Sequence, residues 1–191
     1  MSGVTVDVKE IGQVNLERAA KLLAGIPDGI QKASLHALKR AGERAKTEAG
    51  RFVAEEYVIT KGGFMKNVTV TTDIKGGGGG SVGLNINFRG TVIPLTEFNV
   101  KVSRGGGVTA QVKRGGGGTI SSAFAARVYG PMRIWERVGK KRLPVEQKFG
   151  PSTAQMMGNE TIVNAMTEVI KETFDERLEH EVWRLLGGVG G

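Results

Sequence analysis

An α+β fold is what this sequence predicts: a small antiparallel β-sheet, or meander, packed with a long N-terminal helix and a C-terminal helix. Three observations predict it. Apolar residues recur at three- and four-residue spacing from Ile30 to Ala49, residues 64–137 alternate apolar and polar instead, and a second helical stripe runs from Ile162 to Leu185. The 191 residues suit one domain. Its parts would be a helical segment over 1–59, a glycine-rich antiparallel sheet over 60–150, a C-terminal helix over 151–186 and a flexible tail over 187–191.

Each element has its own signals. After a short extended start, a helix through Leu16, Ala19, Ala20 and Leu23 opens at Asn15 and stops at Gly25 and Pro27. Asp28 reads as the next N-cap, with Gln31 three residues on as in a capping box. From there to Tyr57 no proline interrupts, and Ala33, Ala37, Ala41, Ala45 and Ala49 form a seam widened by Leu38, Phe52 and Val53. A helix of about 28 residues would be roughly 42 Å long. Small side chains along it let another element approach closely.

Five strands follow from the alternation. Val68, Val70, Thr72 and Ile74 share one face; Val82, Leu84, Ile86 and Phe88 share the next. Phe98, Val100 and Val102 mark a third strand, and Val108, Ala110 and Val112 a fourth. Ile120, Ser122, Phe124, Ala126 and Val128 mark a fifth. Glycine blocks at 76–80, 105–107 and 115–118 fall between strands, which places them in mobile loop tips. The last helix is capped by Asn159, with Glu160 in its first turn. Ile162, Met166, Val169, Ile170, Phe174, Leu178, Val182 and Leu185 line one face. Gly187 stops it, and Glu168, Glu172, Asp175, Glu176 and Glu179 make its outer face acidic.

Composition narrows the function. With no cysteine there are no disulfides, thiol nucleophiles or cysteine-based metal sites. No apolar run nears the roughly 18 residues of a membrane span, and no signal-type apolar segment opens the chain, so a cytosol-like compartment is expected and no membrane partner. The net charge of +8 is unevenly placed: residues 1–59 carry +1, residues 60–148 carry +11 and residues 149–191 carry −4. A basic centre facing polyanions, or facing the acidic segment of a neighbouring copy, would each produce that pattern.

Enzymatic patterns are missing. His180-Glu181 lacks the second histidine of a zincin helix, and His36 has no paired partner. No phosphate-cradling glycine loop and no Gly-x-Ser-x-Gly elbow occurs. A non-enzymatic protein without cofactor or metal is therefore expected. Arg104, Lys113 and Arg114 stand beside glycine tips, where backbone amides could approach a phosphate or a partner; equally, such charges keep sheet edges soluble. Trp183 lies one position off the C-terminal stripe and is the candidate interface residue of that helix.

Residues 124–158 are unlike the rest. A strand ends at Gly130-Pro131, and a short strand through Ile134 and Trp135 follows. A turn at Gly139 with Lys140, Lys141 and Arg142 leads to a Leu143-Pro144 step, a Gly150-Pro151 corner and a turn capped by Ser152. This run resembles the bacteriophage and prophage minor tail protein Z family. The match lies at Trp135, Arg137, Gly139, Lys140, Lys141, Arg142, Leu143 and Pro144, then Phe149, Gly150, Pro151 and Ser152. The resemblance implies a structural protein of a long tail, acting late in tail assembly in the host cytoplasm and residing in the virion tail. It also implies a homomeric ring, expected to be a hexamer, near the head-proximal end. Neighbours would be a tail terminator, tail tube or connector, with genomic DNA in the channel. No catalytic residue comes with the family. The signature residues either shape a fixed turn or touch a partner. The competing function is a DNA-contacting module built on the basic central sheet.

Overall fold

A computed structural model describes residues 3–6, 13–76, 82–104, 107–128 and 130–188. In chain order its elements are β1 (Gly3–Val6), α1 (Gln13–Leu22), α2 (Gly29–Glu56), α3 (Lys61–Met65), β2 (Thr69–Gly76), β3 (Val82–Arg89) and β4 (Val92–Pro94). A 3-10 turn at Leu95–Glu97 leads into β5 (Asn99–Val102), β6 (Val108–Gln111), β7 (Gly118–Ile120), β8 (Ala123–Ala126), β9 (Arg133–Arg137), β10 (Val145–Gln147) and β11 (Phe149–Ser152). The helices α4 (Thr153–Met157) and α5 (Glu160–Gly187) complete the chain. The class is the expected mixture of long helices and small antiparallel sheets. Among the described residues the strands form four sheets rather than one meander, ordered β1-β3-β2, β5-β6-β7, β8-β9-β10 and β11-β4. Residues 77–80 of the expected tip at 76–80, residues 105–106 of that at 105–107 and residues 189–191 of the expected tail lie outside the described residues.

Two compact units result, and the division falls inside α2. The first takes residues 1–49, 70–88 and 158–191. Its core is built on the alanine seam, where Ala33, Ala37, Ala41, Ala45 and Ala49 are all fully buried. A Cβ placed on Gly42 would stand 3.3 Å from the Leu84 side chain and 3.4 Å from that of Thr72, so the helix backbone lies close against β2 and β3. On β3 the alternation holds: Leu84, Ile86 and Phe88 are buried. β1 pairs antiparallel with it, from Gly3 opposite Asn87 to Val6 opposite Leu84. Asn159 caps α5 with its Oδ1 accepting from the Thr161 N–H at 3.0 Å. Of the expected stripe, Ile162, Met166, Ile170, Phe174, Leu178 and Val182 are buried and Val169 and Leu185 half-buried, and α5 includes Gly187, one residue past its expected end at 186. α1 starts two residues before Asn15 and packs on α5. Asp28 does not take the extended backbone of a capping box. It adopts a left-handed φ of 56° ahead of α2, and its carbonyl accepts the Lys32 N–H.

The second unit takes residues 50–69 and 89–157. Its β5-β6-β7 sheet is a true antiparallel meander, with Val102 opposite Val108 and Val108 opposite Ile120. Val108 and Ala110 are buried, whereas Val102 at the far end of β5 is exposed. The tip between β6 and β7 places Gly115 at φ 75° and Gly117 at φ 140°, conformations that side chains disfavour, and this fixes the need for glycine there. The expected fifth strand is broken. β7 ends at Ile120, Ser121 and Ser122 turn the chain, and β8 pairs with β9 instead of β6. The turn shifts the phase, so Ala123 is buried rather than Phe124. Serines favour such turns because their hydroxyls bond locally or across a corner.

Two glycines in this unit are set by close approach. β11 and β4 pair with Phe149 opposite Pro94 and Ser152 opposite Val92, with a bulge between. A Cβ on Gly150 at that bulge would enter the Phe98 ring, and one on Gly90 would collide with the Asn67 carbonyl oxygen and the Thr153 hydroxyl. Gly62 in α3, by contrast, faces open space. Gly90→Ala and Gly150→Ala should each lower stability by about 1–3 kcal/mol, the ordinary penalty of overpacking. Gly62→Ala should be neutral or stabilising by up to about 1 kcal/mol, because alanine suits a helix better. Chemical denaturation of the three variants checks this ordering.

Candidate functional site

The signature segment divides into a fixed stem and a presented tip. β9 is the centre of its sheet, with β8 on one side and β10 on the other. Trp135 sits opposite Phe124 and Gln147, and it is buried with its indole N–H donating to the Ala126 carbonyl at 3.1 Å. Burying an indole without a partner for that N–H would be costly, so the bond fixes the ring's orientation. The Arg137 guanidinium lies 5.0 Å from the centroid of the Phe124 ring, a cation–π contact across the two strands.

Glu136 ties the sheet together on its other face. It accepts from the Lys148 ammonium at 2.6 Å and from the Ser122 hydroxyl. The Lys148 hydrogen bond, seconded by that of Ser122, holds the Glu136 carboxyl below its ordinary value of 4.5. Neither partner stands out in sequence, since Ser122 and Lys148 are 14 and 12 residues away.

The second half of the signature is structural in the same way. Ser152 and Gln155 form a capping box: the Gln155 N–H donates to Ser152 Oγ at 3.1 Å, and Gln155 Oε1 accepts from the Ser152 N–H at 2.8 Å. Gly150 and Pro151 make the bulge beside Phe98, while Phe149 is half exposed at 46%. Between stem and corner the picture reverses. Val138, Gly139, Lys140, Lys141, Arg142, Leu143 and Pro144 are all exposed. The Val138 N–H donates to the Pro144 carbonyl at 3.2 Å and closes the loop, whose Leu143–Pro144 peptide is cis. Leu143 is 67% exposed and Val138 57%, so two apolar side chains flank three adjacent cations. Val138 carries little signal in sequence, being an apolar residue beside Gly139 in a charged run.

The other basic residues divide. Arg104 is exposed at the end of β5. Arg114 is engaged within the second unit: its Nε donates to the Ala54 carbonyl at 2.9 Å, and its backbone N–H to the Glu56 carbonyl at 2.9 Å. Those are terminal carbonyls of α2, left without intrahelical donors. Arg114 thus caps a helix, with its charge at the negative end of the helix dipole. Beside it, Lys113 pairs with Tyr57 in a β-bridge and lies 5.7 Å from that ring's centroid.

Trp183 is 64% exposed on α5. It borders a groove of about 190 Å³ between α1 and α5, which helical periodicity does not reveal. Among the described residues no group of three or more His, Asp or Glu side chains is placed to hold a metal ion, and no helix is long and apolar enough to cross a membrane. Comparison with protein-family models, with curated proteins and with solved structures returns no match.

Two outcomes check these assignments. Arg114→Ala should lower stability by about 1 kcal/mol, the usual worth of a hydrogen bond, while Arg104→Ala should stay within about 0.5 kcal/mol of the parent. Because the folded-state pKa of Glu136 is depressed, its stabilisation is present above the unfolded value and lost as pH falls through the folded one. The stability gap between parent and Glu136→Gln should therefore be open at pH 7, shrink below the ordinary carboxylate value of 4.5 and close in stronger acid. Urea titrations at several pH values measure it.

Proposed function

We propose that this chain is a structural virion protein of a long-tailed phage or prophage, a minor tail or tail-completion component. It forms a homomeric ring, six copies being the expected number, near the head-proximal end of the tail, and it is needed for tail completion and head–tail joining. It acts through surface complementarity rather than catalysis. Its neighbours are its own copies and adjoining tail terminator, tail tube or connector proteins. It is assembled in the host cytoplasm and resides in the virion.

The observation that carries this reading is the exposed tip at 138–144. It occupies the middle of the segment that resembles the minor tail protein Z family, and its stem is fixed by Trp135, Arg137 and Glu136. A turn with a purely internal role has no need to present Val138 and Leu143 to solvent beside three cations. The acidic C-terminal helix supplies a patch of opposite sign on the same chain. Unlike patches on one chain suit the heterologous interfaces of a ring.

A DNA-contacting module is the second reading, favoured by the adjacent exposed cations Lys140, Lys141 and Arg142 and by Arg104. Lys113 and Arg114 contribute less to it, because Tyr57 and the carbonyls of α2 already engage them.

Light scattering on the purified protein, alone and with tail tubes, should give a closed oligomer or a ring bound to tails. A monomer that never joins tails overturns the assembly reading. If DNA contact dominates instead, retention on DNA should weaken linearly with log salt, and the slope should fall by about 0.9 for each tip cation removed.

A further inference from the structure

The geometry points to a specific joint between copies: the β9–β10 tip of one chain docks in the α1–α5 groove of a second copy of this chain. This rests on the assembly reading above and names the surfaces it uses. The groove has an apolar floor, with Ala19 and Leu22 from α1 and Trp183 from α5. Ala19 is buried, but Leu22 and Trp183 are 48% and 64% exposed, which is unusual for side chains of that size on adjoining helices. Its wall is acidic: Asp175, Glu176 and Glu179 face the single cation Arg18.

Asp175 gives the groove a direction of demand. Its Oδ1 is buried, yet among the described residues nothing donates a hydrogen bond to it. A carboxylate oxygen removed from water without a donor is costly, and positive charge brought into the groove beside that carboxylate lowers the cost through space. The tip offers what is missing. Lys140, Lys141 and Arg142 supply donors and positive charge, and Leu143 and Val138 supply apolar side chains for the floor beside Trp183. Charge and polarity therefore match in both parts of the contact, an excess of carboxylates against three cations and an apolar floor against two apolar side chains.

A second copy is the occupant because each chain carries both halves of the match. Tip and groove are different surfaces, so the contact is heterologous and every bound copy presents a new groove and a new tip. Such a joint closes into a ring when the rotation per copy divides a full turn. An exposed tryptophan bordering the groove is the kind of residue that dominates such interfaces.

The absence of cysteine makes the test clean. One preparation carries Leu143→Cys and a second carries Leu22→Cys, so any mixed disulfide is intermolecular. Both positions are exposed, and unchanged circular dichroism checks that each variant is folded. On mild oxidation of the mixture, with and without tail tubes, the mixed disulfide should form at least about tenfold faster than in a control that pairs Leu143→Cys with Val102→Cys. Docking raises the local thiol concentration only for the first pair. Adding Lys140→Glu, Lys141→Glu and Arg142→Glu to the tip variant should abolish the excess, and Glu176→Lys with Glu179→Lys in the groove variant should restore it. Cross-linking no faster than the control, in samples that light scattering shows to be assembled, overturns the joint while leaving the ring standing. Monomers under all conditions overturn both. Full-rate cross-linking by the charge-reversed tip also overturns the joint.

Discussion

The burial of an unbroken alanine seam along α2 is the constraint on which most of the structure depends. Five alanines at four-residue spacing are fully buried, and Gly42 extends the same small-residue surface toward Leu84 and Thr72. A helix of 28 residues would not be held by propensity alone; packing along one face holds it. Larger side chains on that seam would push the helix backbone away from β2 and β3 and expose Leu84, Ile86 and Phe88 on the facing strand. The same helix supplies residues to both compact units, so its C-terminal end has to be finished inside the second. Arg114 does that by covering two carbonyls that the helix itself cannot satisfy.

That use of Arg114 changes how the basic centre is understood. An excess of eleven positive charges over residues 60–148 looks in sequence like a single field. In the structure the cations fall into distinct jobs. Arg114 caps a helix, Lys113 lies over Tyr57, Lys148 neutralises Glu136 and Arg137 stacks on Phe124. What is left to face outward in one place is the run Lys140, Lys141 and Arg142, framed by Val138 and Leu143. Charge that is paired across a sheet contributes shape; charge on a tip remains free to contribute contact.

The signature segment shows the same economy. Trp135, Arg137, Gly150 and Ser152 serve the fold, each through a partner that can be named: the Ala126 carbonyl, the Phe124 ring, the Phe98 ring and Gln155. The residues between them, 138–144, are exposed. A turn whose ends are so firmly fixed holds its tip at a defined place, which suits recognition better than a floppy loop does. The α1–α5 groove offers the converse surface, concave and acidic, with an exposed tryptophan at its rim.

Periodicity made both long helices legible from sequence, together with their buried faces, the Asn159 cap and the alternation of Leu84, Ile86 and Phe88. These depend on residues within a few positions of one another, and side-chain spacing alone encodes them. The short strands β4, β10 and β11 escaped, because three or four residues carry too little alternation and two of the three contain proline. The break between β7 and β8 escaped as well: the pattern from Ile120 to Val128 is continuous, and only the competing partner β9 ends one strand and begins another. At the site, residues 139–144 and Trp183 could be named from sequence, and Asp175 as one of the acids of α5, but the burial of Asp175 Oδ1, the exposure of Leu22 and the role of Arg114 could not. Sequence by itself determined where the chain is helical, which faces are apolar and which segment is unusual. Tertiary structure alone decided which strands pair, which cations are spent inside the fold and which stay exposed, because those outcomes depend on partners far away along the chain.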